Sequence, residues 1–275
     1  MRAKTLVVTA GCLAIWSAAY GASLDVFPGA GTPLQDAIDN ASAGDTLLVH
    51  IGTYNEAVVI DKPLKLIGDG AGVVTIDAGC SATAALSVEA DGVTIRGITV
   101  TKGSFFAINI EQQDRITVRD TITLEGGCGG GFYGINLFNS TAITLKGNEA
   151  SGFLDAGLYI GGIAADAKVK LEKNNCHNND QGIIVEDSFP NSVAVKGNTA
   201  SDNNRGIFVH NSDGIRVTGN TLNGNVNASI ELDGTSDDNR VSGNAISDSD
   251  SIDNGTNNCW KGNTYTNATG PAICP

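Results

Sequence analysis

A repeat of about 24 residues is the feature of this chain that most constrains its fold, because periods of this size indicate stacked structural units. Five segments share the order small, apolar, variable, apolar and recur at nearly constant intervals, at residues 133–137, 156–160, 181–185, 205–209 and 228–232. A second alternating segment follows each of them and usually ends in Gly-Asn. Looser copies upstream extend the repeat over residues 58–251, in about eight units.

Each unit combines two short alternating segments with turn residues and contains no stretch of helical periodicity. Alternation with a period of two is typical of strands. A unit of this size cannot bury its apolar face alone, whereas stacked units bury it against one another. The sequence therefore predicts an all-β, single-stranded parallel β-helix of about eight coils. A β-sandwich is the alternative, but sandwiches do not repeat Gly-Asn at this interval.

One asparagine recurs in each unit, at Asn148, Asn174, Asn198, Asn220 and Asn244. Stacked asparagine side chains can hydrogen-bond along a β stack, and asparagine tolerates turn backbone. We therefore expect a structural ladder at these positions and not a ligand site.

Both ends of a β-helix expose strand edges that need a cover. Residues 32–38 predict a short capping helix, with Thr32 as N-cap and a proline at its first position. At the other end, Cys259 and Cys274 bracket a polar segment, and a disulfide between them would close the C-terminal cap. We expect Trp260 in this segment to be a cap residue rather than a platform for sugars.

Three other cysteines, Cys80, Cys128 and Cys176, are equally spaced along the chain, each of them two units after the one before. Two coils of a stack are about 9.6 Å apart, which exceeds the usual Cα separation of a disulfide. The spacing therefore predicts free thiols at most of these positions. No CxxC or His-x-x-His spacing points to a bound metal.

The N-terminus has the pattern of a secretory signal peptide, with two basic residues, a short apolar run and then small residues. The sequence predicts a signal peptide (1–22), an N-terminal cap (23–57), β-helix repeats (58–251) and a C-terminal cap (252–275). Loss of the signal peptide would change the net charge from −13 to −15. We expect a secreted or periplasmic monomer without stable membrane insertion, and its acidity excludes nucleic acid as a partner.

The start of the chain resembles the right-handed parallel β-helix proteins of the pectate-lyase-like superfamily. The resemblance lies in Pro-Leu-Gln-Asp-Ala-Ile-Asp (33–39), Ala-Gly-Asp-Thr-Leu-Leu-Val (43–49), Gly-Thr-Tyr-Asn-Glu (52–56) and Ile-Asp-Lys-Pro-Leu-Lys-Leu-Ile-Gly (60–68). This group includes carbohydrate-binding and sugar-hydrolase repeat proteins and the periplasmic maturation protein of nitrous oxide reductase. The resemblance implies a right-handed β-helix over nearly all of the exported chain. It does not fix the function, because this fold supports many activities.

Catalytic motifs of three enzyme families with this fold are missing from the sequence. Pectin methylesterases carry Gln-Asp-Thr-Leu, polygalacturonases carry Gly-His-Gly, and alginate epimerases carry Asp-Pro-His-Asp. If the protein is an enzyme, the absences favour a polysaccharide lyase over a hydrolase or a pectin esterase.

Alternate residues of each first strand are expected to face outward in two columns. One column holds Asn109, Asn136, Tyr159, Ile184, Phe208 and Glu231, and the next holds Glu111, Phe138, Gly161, Glu186, His210 and Asp233. The candidate sugar-binding residues among them are Tyr159, Phe208, Phe138 and Asp233. Glu186, His210 and Glu231 are candidates for general acid/base catalysis. The carboxylates also make Ca²⁺ a candidate ion, without an assignable set of ligands.

Basic residues occupy outward positions of the second strands, at Arg96, Arg119, Lys146, Lys170, Lys196, Arg216 and Arg240. They are nearly half of the 15 basic residues that follow the signal peptide. Such a stripe suits a polyanionic glycan, and Arg96, Arg119, Lys146 and Lys196 are its candidate contacts. Charges placed only for solubility are the alternative, and Glu172 interrupts the stripe.

Three functional hypotheses remain. The first is an exported protein that binds an extracellular or cell-wall polysaccharide and could also act on it. The second is a Ca²⁺-dependent lyase that cleaves pectate or alginate by β-elimination. The third is a non-catalytic periplasmic maturation or scaffold protein.

Overall fold

Every strand of the structure pairs in parallel with the equivalent strand of a neighbouring coil. The computed structural model describes residues 21–272 and 274, and in them the chain winds through three sheets in turn. A parallel stack of this kind satisfies the backbone hydrogen bonds of each strand through the coils above and below it. The predicted parallel β-helix is therefore confirmed.

Each sheet is built from strands that follow one another in chain order, one coil apart. Sheet 1 contains Ser23–Val26, Thr46–Val49, Lys65–Gly68, Thr94–Arg96, Thr117–Arg119, Thr144–Lys146, Val169–Glu172, Val193–Lys196, Arg216–Thr218, Arg240–Ser242 and Cys259–Lys261. Sheet 2 contains Gly52–Tyr54, Val74–Asp77, Thr99–Thr101, Ile122–Leu124, Glu149–Ser151, Asn175–His177, Thr199–Ser201, Thr221–Asn223, Ala245–Ser247 and Thr264–Thr266. Sheet 3 contains Val58–Ile60, Ala84–Val88, Phe106–Glu111, Tyr133–Phe138, Ala156–Gly161, Gln181–Glu186, Arg205–His210, Ala228–Leu232 and Ile252–Asp253.

The stack has about ten coils, slightly more than the eight expected, because strands on both sides of residues 58–251 join it. Ser23–Val26 pairs with Thr46–Val49 at the start, and Cys259–Lys261 pairs with Arg240–Ser242 at the end. The last coil also carries Gly-Asn, but its Asn263 follows Asn244 after only 19 residues. Because this interval is shorter than in the other units, the repeat pattern did not reveal the last coil. The signal-peptide prediction falls mainly on residues 1–20, outside the described residues.

Inward side chains of the three sheets form one continuous apolar core. In sheet 1 a fully buried column runs through Leu47, Leu66, Ile95, Val118, Leu145, Leu171, Val195, Val217, Val241 and Trp260. Each such side chain contributes roughly 1.5–3 kcal/mol through its removal from water. Trp260 closes this column in the last coil, which confirms its role as a cap residue.

The predicted asparagine ladder is present in the turns between sheets 1 and 2. Oδ1 of Asn198 accepts from both the backbone N–H and the side-chain amide of Asn174, each at 2.9 Å. The amide of Asn198 donates to the carbonyl of Leu171 at 3.0 Å. The same pattern joins the remaining members, Asn148, Asn220, Asn244 and Asn263. The ladder thus satisfies polar groups inside the stack.

The glycine before each ladder asparagine has a backbone reason. Gly197 has φ +66° and Gly219 has φ +65°, a left-handed conformation that glycine adopts without steric cost. One unit lacks this glycine, and Lys173 takes its place at φ +56°. A second ladder of Asn179, Asn203 and Asn225, which the sequence pattern did not predict, lies in the turns between sheets 2 and 3.

A single helix, Pro33–Asn40, lies in the described residues and buries Leu34 and Ile38 against the first coils. The helix was predicted with Thr32 as its N-cap, and Thr32 does occupy that position. The Thr32 side chain makes no capping hydrogen bond. The buried carboxylate of Glu56 accepts from the first backbone N–H groups instead, at 3.0 Å from Leu34 and 2.8 Å from Gln35. In the described part of the chain, no helix is long and apolar enough to cross a membrane.

Cys259 and Cys274 form the predicted disulfide near the C-terminus. Free thiols at Cys80 and Cys128 were a wrong prediction, because these residues also form a disulfide, with Cα atoms 5.6 Å apart. Their turns contain six and eight residues, whereas the turn of the coil between them, residues 102–105, has four. The two long turns contact each other past the short turn, so the two cysteines come within disulfide distance although their coils are not adjacent.

Cys176 is the free cysteine of the described residues, and it is completely buried in sheet 2. It stacks between Ala150 and Ala200 of the neighbouring coils. Burial raises the pKa of its thiol, so it behaves as a small apolar core residue.

Candidate functional site

The outward columns predicted for the first strands run along sheet 3. The register pairs Asn109, Asn136, Tyr159, Ile184, Phe208 and Glu231 from coil to coil. The second column runs through Glu111, Phe138, Gly161, Glu186 and His210. Asp233 follows its strand directly and reaches this column through its side chain. The structure therefore brings the aromatic and titratable candidates together on one face.

Four side chains form a connected line that begins at Tyr159 in the first column and continues through Glu186 and His210 of the second column to Asp233. Oη of Tyr159 donates a hydrogen bond of 2.5 Å to Oε2 of Glu186. Nε2 of His210 lies 3.6 Å from the other oxygen of Glu186, and Nδ1 of His210 lies 2.5 Å from Oδ2 of Asp233. Each link joins neighbouring coils, so the line crosses four coils of the stack. Burial raises the pKa of Tyr159, and the hydrogen bond to Glu186 raises it further.

Asp233 is the most firmly held carboxylate of this line. Desolvation alone would raise the pKa of Asp233, but hydrogen bonds from Ser236, Thr235 and Asn211 outweigh it and lower the pKa. The hydroxyl of Ser236 donates to Oδ1 at 2.7 Å. The aspartate is therefore an anion at neutral pH, and it lies against Nδ1 of His210, a buried atom that makes no hydrogen bond within the described residues.

Glycine at position 161 makes room for the Tyr159 ring. A Cβ atom on Gly161 would lie 2.7 Å from Cε1 and 2.8 Å from Oη of Tyr159. The same atom would lie 3.0 Å from Cδ2 of Phe138. Because no side chain stands there, the tyrosine can lean along the stack to Glu186.

Glu231 belongs to a different group from Glu186 and His210. Its Oε2 accepts a hydrogen bond of 2.5 Å from Nε of Arg205. The guanidinium of Arg205 lies over the Phe208 ring, 4.9 Å from its centroid, and the Phe208 and His210 rings stack at 5.6 Å. Of the three acid/base candidates, Glu186 and His210 therefore lie together, whereas Glu231 pairs with Arg205.

A cluster of aromatic residues at the start of the sheet 3 strands was not predicted from the sequence. Phe106 stacks on Tyr133 at 5.8 Å, Phe105 stacks on Phe132 at 4.6 Å, and Tyr133 lies 4.8 Å from Tyr159. The signal was available as two aromatic pairs one unit apart, at 105–106 and 132–133, at the start of the repeat positions. The cluster extends the aromatic surface by two coils beyond Tyr159.

Asp155 lies beside this cluster and is half-buried. It accepts a hydrogen bond from Tyr133, and Nε2 of Gln181 donates to its Oδ1 at 3.1 Å. Burial raises the pKa of Asp155, although the hydrogen bond from Tyr133 lowers it. Burial also raises the pKa of Tyr133.

The basic stripe lies on sheet 1 and consists of two columns rather than one. Arg96, Arg119, Lys146, Glu172 and Lys196 are register partners in one column. Lys170, Ala194, Arg216 and Arg240 occupy the other. Two of these bases also have acidic neighbours, since Arg96 pairs with Asp120 at 3.4 Å and Lys146 with Glu172 at 3.8 Å. The bases and the aromatic face therefore lie on different sheets.

Among the described residues, no group of three or more His, Cys, Asp or Glu side chains has an arrangement that could hold a metal ion. The Ca²⁺ expectation therefore has no matching set of such ligands on either sheet.

The sequence model of the right-handed β-helix region matches residues 83–246, more than half of the chain. The chain belongs to the right-handed β-helix family. This membership agrees with the resemblance noted from the N-terminal segments, and it indicates that the solenoid is right-handed. No curated protein matches the sequence.

Solved structures similar to this β-helix protein include enzymes and an adhesin. The A-module of the mannuronan C-5 epimerase AlgE4 of Azotobacter vinelandii has 15% identity and a TM-score of 0.57, covering 93% of this chain and 97% of that one. The endo-xylogalacturonan hydrolase of Aspergillus tubingensis has 12% identity and a TM-score of 0.62, covering 92% and 96%. PfbA, a surface adhesin of Streptococcus pneumoniae, has 14% identity and a TM-score of 0.53, covering 91% of each chain. At these identities the likeness shows the shared fold.

Proposed function

We propose that this protein is exported and binds a polysaccharide along sheet 3, parallel to the axis of the solenoid. The observation that carries the proposal is the continuous surface of aromatic rings and hydrogen-bonded carboxylates from the coil of Phe106 to the coil of Glu231. These six coils span roughly 24 Å at the strand spacing. Ligand sites typically combine aromatic walls with a few oriented polar groups.

The polar groups of this face are oriented and still have capacity for a ligand. Glu186 is held by Tyr159, and Glu231 is held by Arg205. An ionised carboxylate has about four acceptor positions. These side chains can therefore accept hydrogen bonds from sugar hydroxyls without giving up the contacts that fix them.

Two further observations support export and a glycan partner. The two disulfides favour an oxidising compartment outside the cytosol. The epimerase and the hydrolase with the same fold bear names of enzymes that act on polysaccharides, and PfbA is a surface adhesin.

Affinity electrophoresis in gels that contain soluble polysaccharides tests this proposal. We expect at least one polysaccharide to retard the protein and the Tyr159→Ala/Phe208→Ala double variant to lose most of the retardation. The matched control, Arg119→Ala/Lys146→Ala, changes two exposed residues of sheet 1 and should retain it. Loss of retardation only in the sheet 1 variant would move the site to the basic stripe. Retardation by no polysaccharide would favour the maturation or scaffold hypothesis.

Catalysis at His210 is a second candidate function. The observation that favours it is the orientation of the ring, with Nδ1 buried against Asp233 and Nε2 facing Glu186. An imidazole side chain within reach of a bound sugar can serve as a general acid or base. In a lyase reaction the base would remove the proton beside the uronate carboxylate, and the bond to the next sugar would break to leave an unsaturated end.

The lyase alternative also needs positive charge beside the bound uronate, whereas the basic columns lie on sheet 1. Incubation with polygalacturonate and alginate, with and without Ca²⁺, tests it through the absorbance of unsaturated products. Product formation by the wild type but not by His210→Gln would support catalysis. The absence of product on both uronans under both conditions would exclude this lyase activity.

A further inference from the structure

We infer that the ligand of the sheet 3 face is a neutral polysaccharide and not a polyuronate. The inference rests on the proposed function and adds the chemical class of the glycan. Its basis is the charge on the face, where the described strands of sheet 3 carry two basic residues, Arg205 and His210. Neither of them is free to receive a sugar carboxylate.

Arg205 is committed to contacts within the protein. Its Nε donates to Glu231 at 2.5 Å, and its guanidinium lies 4.9 Å from the centroid of the Phe208 ring. An arginine binds a carboxylate best through two parallel hydrogen bonds. A uronate would therefore compete with Glu231 for this group.

His210 is likewise enclosed by acidic groups. Asp233 lies 2.5 Å from its Nδ1, and Glu186 lies 3.6 Å from its Nε2. A sugar carboxylate placed against this ring would stand beside two protein carboxylates. Juxtaposed like charges reduce affinity and exclude wrong partners.

Acidic side chains dominate the remainder of the face. They are Glu111, Asp155, Glu186, Glu231 and Asp233, and each has a hydrogen-bonding or ionic partner within the protein. Repulsion would act on a polyuronate along its whole length, whereas a neutral chain meets only acceptors that suit its hydroxyl groups.

The half-buried amide of Asn109 at one end of the face fits the same ligand, and the buried amide of Asn136 holds it in place. The side chain of Asn136 donates to Oδ1 of Asn109 at 2.6 Å and lies 3.4 Å from Oε1 of Glu111. Amides present both donors and acceptors to hydroxyls. The basic columns that would attract a polyanion lie on sheet 1 and do not alter this surface.

A pair of polymers with the same linkage provides the test on the full-length protein. Binding is measured by affinity electrophoresis with polygalacturonate and with its carboxyl-reduced, neutral form. Xylan, glucomannan and galactan serve as further neutral polymers, and alginate as a further polyuronate. Each gel is run with a chelator and with added Ca²⁺, at low and at high ionic strength.

We expect the preferred neutral polymer to bind at least roughly tenfold more tightly than either polyuronate at low salt. High salt should narrow the difference, because it screens the repulsion between exposed charges. The double variant Glu111→Gln/Glu231→Gln removes two charges with little change of shape. It should also reduce the difference in affinity between the neutral polymer and the polyuronates. Glu172→Gln on sheet 1 is the matched control and should leave it unchanged.

The outcomes separate this inference from the proposal on which it rests. Equal or tighter binding of a polyuronate, with or without Ca²⁺, would overturn the inference and leave a glycan-binding face in place. Binding of no polymer of either kind would overturn the proposed function and the inference with it. Thermal unfolding of each variant shows whether it is folded, and an unfolded variant is replaced by the single Glu111→Gln change, which affects an exposed side chain.

Discussion

The phenol of Tyr159 reaches across one coil and donates a hydrogen bond of 2.5 Å to Glu186. The ring lies over Gly161, where any side chain would collide with it. A ring in an outward column is thereby fixed in position before a ligand arrives. Such preorganisation reduces the entropy that binding must overcome.

Replacement of Gly161 by alanine is the smallest change that disturbs this contact. The new Cβ would lie 2.7 Å from the Tyr159 ring, so the ring must move away from Glu186. We expect binding of the preferred glycan to weaken roughly tenfold, which corresponds to about 1.4 kcal/mol. Affinity electrophoresis measures the change. Gly29→Ala, at a position with open space around it, is the control, and equal retardation of the two variants would contradict the role of Tyr159.

Burial of tyrosine side chains makes the stability of the fold depend on pH in the alkaline range. Burial raises the pKa of Tyr54 to about 12 and raises the pKa values of Tyr133, Tyr159 and Tyr265. In the unfolded chain these groups titrate near pH 10. Their stabilising contribution is therefore complete below about pH 10 and decreases as the pH rises through the raised values.

Ultraviolet absorbance of the phenolate measures this effect. In the protein without the predicted signal peptide, which lacks Tyr20 and retains the four tyrosines above, we expect little phenolate at pH 10 in the native state. In denaturant the tyrosines of the same protein should be about half ionised at that pH. Titration of two or more phenols near pH 10 in the folded protein would show that these side chains are not buried as described.

Lys173 offers a test of the ladder turns. It adopts φ +56° at the position where other units have glycine. Left-handed backbone costs a non-glycine residue roughly 1–2 kcal/mol, and glycine has an entropic cost of about 0.5–1 kcal/mol in the unfolded state. Lys173→Gly should therefore raise the free energy of unfolding by about 0.5–1 kcal/mol.

Replacement of glycine by a residue with a side chain, at the equivalent position of the next unit, serves as the control for that variant. Gly197 has φ +66°, so Gly197→Ala should lower stability by about 1 kcal/mol. Chemical denaturation of both variants beside the wild type gives the comparison. Lower stability of Lys173→Gly would contradict the assignment of strain to this turn.

The repeat allowed the sequence to predict most of the fold, because turn residues and alternation recur at one interval. The ladder, the helix near residue 33, the Cys259–Cys274 disulfide and the outward columns of sheet 3 follow from that local pattern. The second asparagine ladder was missed because its turns lack a constant neighbour such as glycine. The cap from Glu56 was missed because the carboxylate lies far along the chain from the N–H groups that it satisfies.

The site could be predicted only as positions on a face. Register alone placed Glu186 beside His210, but it could not show that Tyr159 leans to Glu186 or that Glu231 pairs with Arg205. Side-chain direction depends on which neighbours are small, as at Gly161. The Cys80–Cys128 disulfide escaped prediction because unequal turn lengths, not coil spacing, bring these cysteines together.

That disulfide also holds the turn that leads into Phe132. Phe132 follows Cys128 by four residues, and its ring stacks on Phe105 at 4.6 Å. Cys80→Ser/Cys128→Ser opens a loop of 48 residues, for which the loss of stability is about 4 kcal/mol on a loop-entropy basis. We expect a lower unfolding midpoint and weaker glycan binding, because the aromatic cluster loses its support.

Cys259→Ser/Cys274→Ser is the matched control for the disulfide variant. It opens the other disulfide, which lies at the far end of the stack, and should lower the unfolding midpoint without changing glycan affinity. Alkylation of the denatured, unreduced protein should label Cys176 among the described cysteines and leave these four unlabelled. Equal effects of the two double variants on glycan binding would contradict a role of the Cys80–Cys128 disulfide in the aromatic cluster.

Hydrogen–deuterium exchange with and without the glycan that retards the protein most strongly tests the location of the binding face most directly. We predict ligand-dependent protection in the sheet 3 strands and their flanking turns, over residues 105–111, 132–138, 155–161, 181–186, 205–210 and 228–233. Exchange in the sheet 1 strands that carry Arg119 and Lys146 should not change. Protection confined to sheet 1 would contradict the account and assign the glycan to the basic columns.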